Sequence, residues 1–185
     1  MIKIKIICVG KIKEDYLNIG ISEYLKRLSN YAKIEIVELK DEKISNKDSD
    51  EHIKEIEGKR IIEKLDKDYY NIFLDVHGKE LSSEQFAAHT QKLIDEGKGN
   101  LCFVIAGSLG FSESVLNYAN FRLSFSKMTF THQMIRLLLL EQIYRVFKIN
   151  NNEVYHKWVI YFFVYVFLRV KTLFFFNFVL GYDRI

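Results

Sequence analysis

Residues 125–134, FSKMTFTHQM, gather the hydroxyls of Ser126, Thr129 and Thr131, the amine of Lys127 and the imidazole of His132. Around them stand Phe125, Met128, Phe130 and Met134. Side chains of these types can hold a small ligand or move a proton; in the bland alternative they form only a polar turn. A histidine at a helix start is more often a surface or capping residue than a catalytic one, and a single lysine is more often solvated. Two further stretches share this loop character, LDVHGKELSS (74–83) and IAGSLGFS (105–112). The glycines of the second allow close approach of a ligand to the backbone and offer amide donors. AGSLG is not the G-x-G-x-x-G dinucleotide fingerprint, and no G-x-x-x-x-G-K-[ST] is present. On that motif alone a plain β-to-α turn is the better reading.

Other chemistries find little support. His52, His77, His89, His132 and His156 are scattered, with no ligand pair at zinc spacing, so no metal is expected. No G-x-S-x-G elbow marks a hydrolase.

The elements that must position these loops follow from periodicity. IKIKIICVG alternates at Ile2, Ile4 and Ile6 and then turns fully apolar, which predicts a strand stopped by Gly10. Residues 13–28 carry Tyr16, Leu17, Ile21, Tyr24, Leu25 and Leu28 at helical spacing. KIEIVEL (33–39) is a second strand. The charge run that follows it reads as a solvated loop and helix face, helical only toward Ile61, Ile62 and Leu65. YNIFLDV (70–76) predicts a third strand ended by His77-Gly78, and Ser82 or Ser83 can cap the helix after it. NLCFVIAG (100–107) has the unbroken apolar character of a strand buried on both faces, and Ser112 is placed to cap a short helix. FRLSF (121–125) is a brief fifth strand, and 132–148 predicts a long helix. Strand and helix alternate, so the expected class is α/β with a mainly parallel sheet and helices on both faces. In such sheets ligands bind outside the carboxyl ends of the strands, where all three loops fall.

Composition agrees with a single domain. The 185 residues are 49% apolar and 28% charged, and the formal net charge is +3, which permits an anionic partner without demanding one. Cys8 and Cys102 lie inside apolar runs, so buried free thiols are expected rather than a disulfide. No basic segment followed by an apolar one opens the chain, so no export signal is expected and the location implied is cytoplasmic.

From IKIICVGKIKEDYLNIGISEYLKRLSNYAKIEI through LDVHGKELSSEQFA to LSFSKMTFTHQMIRLLLLEQIYRVFKINNNEVYHK, the chain closely resembles the bacterial large-subunit ribosomal RNA methyltransferase H family of the SPOUT superfamily. The resemblance covers residues 1–157, and S-F-S-K-M-T-F is its most specific string. It implies a C-terminal trefoil knot, a homodimer, and S-adenosylmethionine held in a bent form by the three loops. It further implies methylation of N3 of a pseudouridine in 23S rRNA of the ribosome. Carried over by position, it places Leu74 in the first loop's cofactor contact and Ala106 and Gly107 in the second. The third takes Phe125, Ser126, Lys127, Met128, Thr129 and Phe130. For the loss of the N3 proton and the charge that develops, the chain offers His132, Arg136, Arg145, Tyr155 and His156. Tyr155 and His156 come first, as a segment that folds over the pocket, and Arg145 is expected to anchor a phosphate or loop.

The chain departs from the family in three places. Position 106 is Ala where relatives usually carry glycine, which would be strained if the backbone there takes a positive φ. Position 131 is Thr in place of proline, which loses rigidity but offers a helix cap. The third is WVIYFFVYVFLRVKTLFFFNFVLGYDRI (158–185), a hydrophobic extension. Its first apolar run, Trp158–Leu168, falls short of the ~20 residues a bilayer span needs, and Arg169 and Lys171 interrupt it. Read-through of a lost stop codon is the expected origin. The second functional reading is an inactive or membrane-tethered derivative whose tail blocks the Tyr155–His156 segment.

Overall fold

A computed structural model describes residues 1–42 and 49–154. Tyr155, His156 and the extension 158–185 therefore lie outside the described residues, as does the boundary between the two expected segments. The elements in chain order are β1 Ile2–Val9, α1 Asp15–Leu28, β2 Ala32–Leu39, α2 Asp50–Ile62 and β3 Tyr70–Glu80. They continue with α3 Ser83–Asp95, β4 Leu101–Ile105, α4 Glu113–Leu116, β5 Phe121–Ser124 and α5 Met134–Asn150.

The strands form one sheet in the order β2-β1-β4-β3-β5, and every pairing is parallel. A parallel sheet must be covered on both faces, and the alternation along its central strands does this. Ile4, Ile6 and Cys8 of β1, with Leu101, Phe103 and Ile105 of β4, face a core closed by residues of α1, α3 and α5. Ile7 and Val9, with Cys102 and Val104, face a second core containing Ile61 of α2 and Val115 of α4. Both cysteines are buried free thiols.

Two elements differ from the periodicity reading. The helix α2 begins at Asp50, well inside the charge run, because Ser49 accepts a hydrogen bond from the His52 amide and caps the first turn. Strand β3 does not end at His77-Gly78. It bulges after Leu74 and resumes pairing at Lys79 and Glu80, so that Leu74 and Lys79 both lie opposite Leu123. Gly78 makes this possible: a methyl group there would sit 2.6 Å from the Arg122 carbonyl carbon. What reads as a stop is a close crossing of two backbones.

Capping is more specific than the sequence indicates. Ser82, not Ser83, caps α3 in a box with Gln85, while the Ser83 hydroxyl donates to Gln142 of α5. Ser112 occupies the cap position of α4, but its buried hydroxyl bonds Ser114 instead of the helix amides. At the end of α5 the Tyr31 hydroxyl donates to both carboxylate oxygens of Glu153 at 3.1 and 3.0 Å, and Lys148 pairs with the same carboxylate. The Tyr31 ring stacks on Phe147 at 5.3 Å, so the chain is held to the turn before β2 up to one residue short of Val154.

Candidate active site

The carboxyl ends of β3, β4 and β5 open into a cleft of about 680 Å³, within the range of roughly 300–1,000 Å³ typical of small-molecule sites. The first wall comes from Leu74, Asp75 and Val76 at the β3 bulge, the second from residues 105–111 after β4. The third comes from Leu123 to Ser126 and from Met128 to Gln133, with Ile135 of α5. Its walls are mainly apolar, and its polar groups are mostly loop backbone and hydroxyls.

The bulge is pinned by its own charges. Arg122 Nε donates to Asp75 Oδ2 at 2.6 Å, and the His77 amide donates to Oδ1 at 3.1 Å. That fixes Leu74 at the rim of the cleft. The third loop is folded by hydroxyls: Ser124 donates to the Ser126 carbonyl at 3.1 Å, and Ser126 Oγ accepts the Met128 amide at 2.9 Å. Thr131 then accepts the Met134 amide on its hydroxyl at 3.2 Å and the Ile135 amide on its carbonyl at 3.1 Å. Thr131 thus satisfies the first amide of α5 from the preceding turn, while the cap position itself is Gln133, whose side chain makes no capping bond. Phe125 packs against the core, whereas Phe130 and Met128 are exposed, at 41% and 71%. An apolar lip of this kind offers surface to a ligand.

Of the residues assigned by position to the cofactor, Leu74, Ala106, Gly107, Phe125, Ser126, Met128, Thr129 and Phe130 line the cleft, and Lys127 does not. Ala106 carries no backbone strain, since Asn152 is the one non-glycine residue with positive φ among the described residues. Asp75, residues 108–111 and Gln133 line the cleft as well, beyond the positions that the resemblance assigns. The strand-to-loop position of 105–112 was the available signal.

The proposed proton-handling residues are dispersed. His132 lines the cleft, packed over Gly10. Burial holds its pKa below the ordinary value, the Arg136 guanidinium lowers it further, and Asp41 opposes them. The imidazole is therefore neutral and able to accept a proton. Arg136 is fully buried and structural: it donates to the Val9 and Gly10 carbonyls at 2.9 and 2.8 Å and pairs with Glu38 at 2.8 Å. It ties the start of α5 to the ends of β1 and β2. Arg145 lies farther along α5, pairs with Glu141 one turn back and does not line this cleft. Among the described residues no group of three His, Cys, Asp or Glu is arranged to hold a metal ion.

The site fits S-adenosylmethionine. Apolar walls suit an adenine ring, and loop amides and hydroxyls suit its edges and the ribose without requiring charged side chains. A parallel α/β sheet with such a cleft at the carboxyl ends of its strands defines an α/β protein with a small-molecule cleft at the usual position. Comparison with known sequences narrows this. A family model described as "Predicted SPOUT methyltransferase" matches residues 2–156, and the chain belongs to that family. It is 55% identical over 158 residues to the ribosomal RNA large subunit methyltransferase H of Clostridioides difficile, an alignment covering 83% of this chain and 99% of the relative. The proteins of the same name from Enterococcus faecalis and Clostridium novyi are 52% and 54% identical, over 84% and 83% of this chain and 99% of their own lengths.

Proposed function

We propose that this chain methylates N3 of a pseudouridine in 23S rRNA of the large ribosomal subunit, using S-adenosylmethionine, as a cytoplasmic homodimer. The carrying observation is the convergence of the three loops on one cleft, with eight cofactor-assigned positions on its walls. The printed names of the relatives support the substrate class. When bound, the cofactor supplies an electrophilic methyl group. The chain's residues hold it between Leu74, Gly107 and the 125–130 loop, keep water from its apolar faces, and receive the N3 proton on a neutral base. His132 is the histidine with that character among the described residues lining the cleft.

The path of α5 supports a dimeric site. The helix begins at the cleft with Ile135 and ends beside the turn before β2, where Phe147 meets Tyr31. Its 17 residues span about 25 Å. We propose that Tyr155 and His156, with Arg145, serve the cleft of a second copy. The trefoil knot is proposed on the family membership alone.

We further propose that 1–157 is the SPOUT methyltransferase domain and 158–185 an atypical hydrophobic C-terminal extension that arose by read-through of a stop codon. Methyl transfer to ribosomes lacking the modification tests the whole reading. Labelled methyl should appear on N3 of a pseudouridine with chains ending at 157 and at 185. No transfer by either chain, with folding intact, would sink it.

A further inference from the structure

The charge run ahead of the third strand reads as a solvated face, yet α2 buries Glu57 to 5% exposure and Gly58 beside it. Both residues press on the segment that forms the second wall of the cleft. A methyl group on Gly107 would lie 2.5 Å from Glu57 Oε2 and 3.1 Å from Oε1. One on Gly58 would lie 2.2 Å from Val115 Cγ2 and 3.5 Å from Ser112 Oγ. One turn earlier, the Ser114 hydroxyl donates to Glu55 at 2.8 Å. The helix therefore meets the segment at Gly107, at Ser112–Ser114 and at Val115.

Gly107 does not need to be glycine for its backbone angles, since it is not among the glycines with positive φ. Its side of the loop is filled by the Glu57 carboxyl. That carboxyl accepts the Glu42 amide at 3.0 Å. Burial raises its pKa; the hydrogen bond from the Glu42 amide and the Arg60 charge oppose the rise, and the Asp41 and Glu42 carboxylates add to it.

We propose that Glu57 is a positioning residue of the cofactor cleft: its carboxyl seats the Gly107 peptide from beneath and sets the height of the second wall. This rests on the reading of the cleft as the methyl-donor site. The carboxyl does not touch the ligand; it acts through Gly107. A wall that shifts also misplaces the bound methyl donor, and a 1 Å misplacement of a reacting group can cost about 100-fold in rate.

The test is a cycle of Glu57→Ala, Gly107→Ala and the double variant, with S-adenosylmethionine binding measured by calorimetry and melting recorded alongside. Each single variant is expected to weaken binding by on the order of tenfold or more. The double variant should bind better than Gly107→Ala alone, because removing the carboxyl makes room for the added methyl. Glu57→Gln, which keeps the shape and an oxygen for the Glu42 amide, should stay close to the parent. If Glu57→Ala does not fold, Glu57→Asp withdraws the carboxyl by one methylene, and Gly107→Ala should bind better in that background. Equal damage from Gly107→Ala whether or not Glu57 is shortened would overturn the proposal, as would parental affinity in a folded Glu57→Ala. Failure of the parent chain to bind S-adenosylmethionine would instead overturn the reading on which it rests.

Discussion

His132 joins sequence to chemistry most directly among the described residues. Its lowered pKa means that protonation falls below the ordinary value of 6.5, so the neutral form persists into mildly acidic solution. The acid limb of the methyl-transfer rate should lie below that value, and His132→Ala should slow transfer by on the order of 100-fold while leaving cofactor affinity largely intact. The sign for stability follows: the unfolded imidazole binds its proton at higher pH than the folded one, so this group favours folding above about 6.5 and opposes it below. A rate profile with an unshifted acid limb in His132→Ala removes it as the base. The thiols behave in the opposite sense. Burial pushes Cys8 and Cys102 up to about 12 each. Both should resist alkylation at pH 8 in the folded protein and react in denaturant; rapid labelling of the native chain would contradict their burial.

Elements that announce themselves by periodicity were legible; those shaped by close contact were not. The alternation of β1 and the unbroken run of β4 predicted their burial, because apolar side chains on both faces have no other place to go. The helix α2 gave no such signal, since its inward positions are Ile53, Glu57, Gly58 and Ile61, one of them charged and one without a side chain. The β3 bulge was hidden because His77-Gly78 has the composition of a turn. Gly78→Ala should therefore behave as an overpacked core substitution, costing about 1–3 kcal/mol and loosening the first loop. Calorimetric unfolding with cofactor titration would register both effects; an unchanged variant would refute the crossing of β3 over β5. Arg136 binds α5 to two strand ends, and Arg136→Met should cost about 3 kcal/mol by stranding the Val9 and Gly10 carbonyls and Glu38. Arg136→Lys should rescue little, because one ammonium cannot repeat a planar fork.

Across the whole molecule, the cleft was legible because the three flagged loops lie at the same ends of parallel strands, where ligands bind. The assignment of particular residues came from resemblance, since the bare spacing of FSKMTFTHQM supported no more than a polar turn. What the sequence could not convey is that α5 carries the chain to the far end of the sheet before Tyr155. Two chains, one with His156→Ala and one with Gly107→Ala, should each be impaired alone. Mixed in one dimer, they should recover part of the parental rate, because one cleft would then be intact and served by the other chain's intact segment. No recovery in verified mixed dimers would place His156 at its own cleft or outside the reaction. The most direct measurement is mass spectrometry of 23S rRNA after incubating unmodified ribosomes with this chain and S-adenosylmethionine. One methyl group on N3 of a single pseudouridine is the predicted result, and an unmethylated RNA, or a methyl group on another atom, would contradict the account.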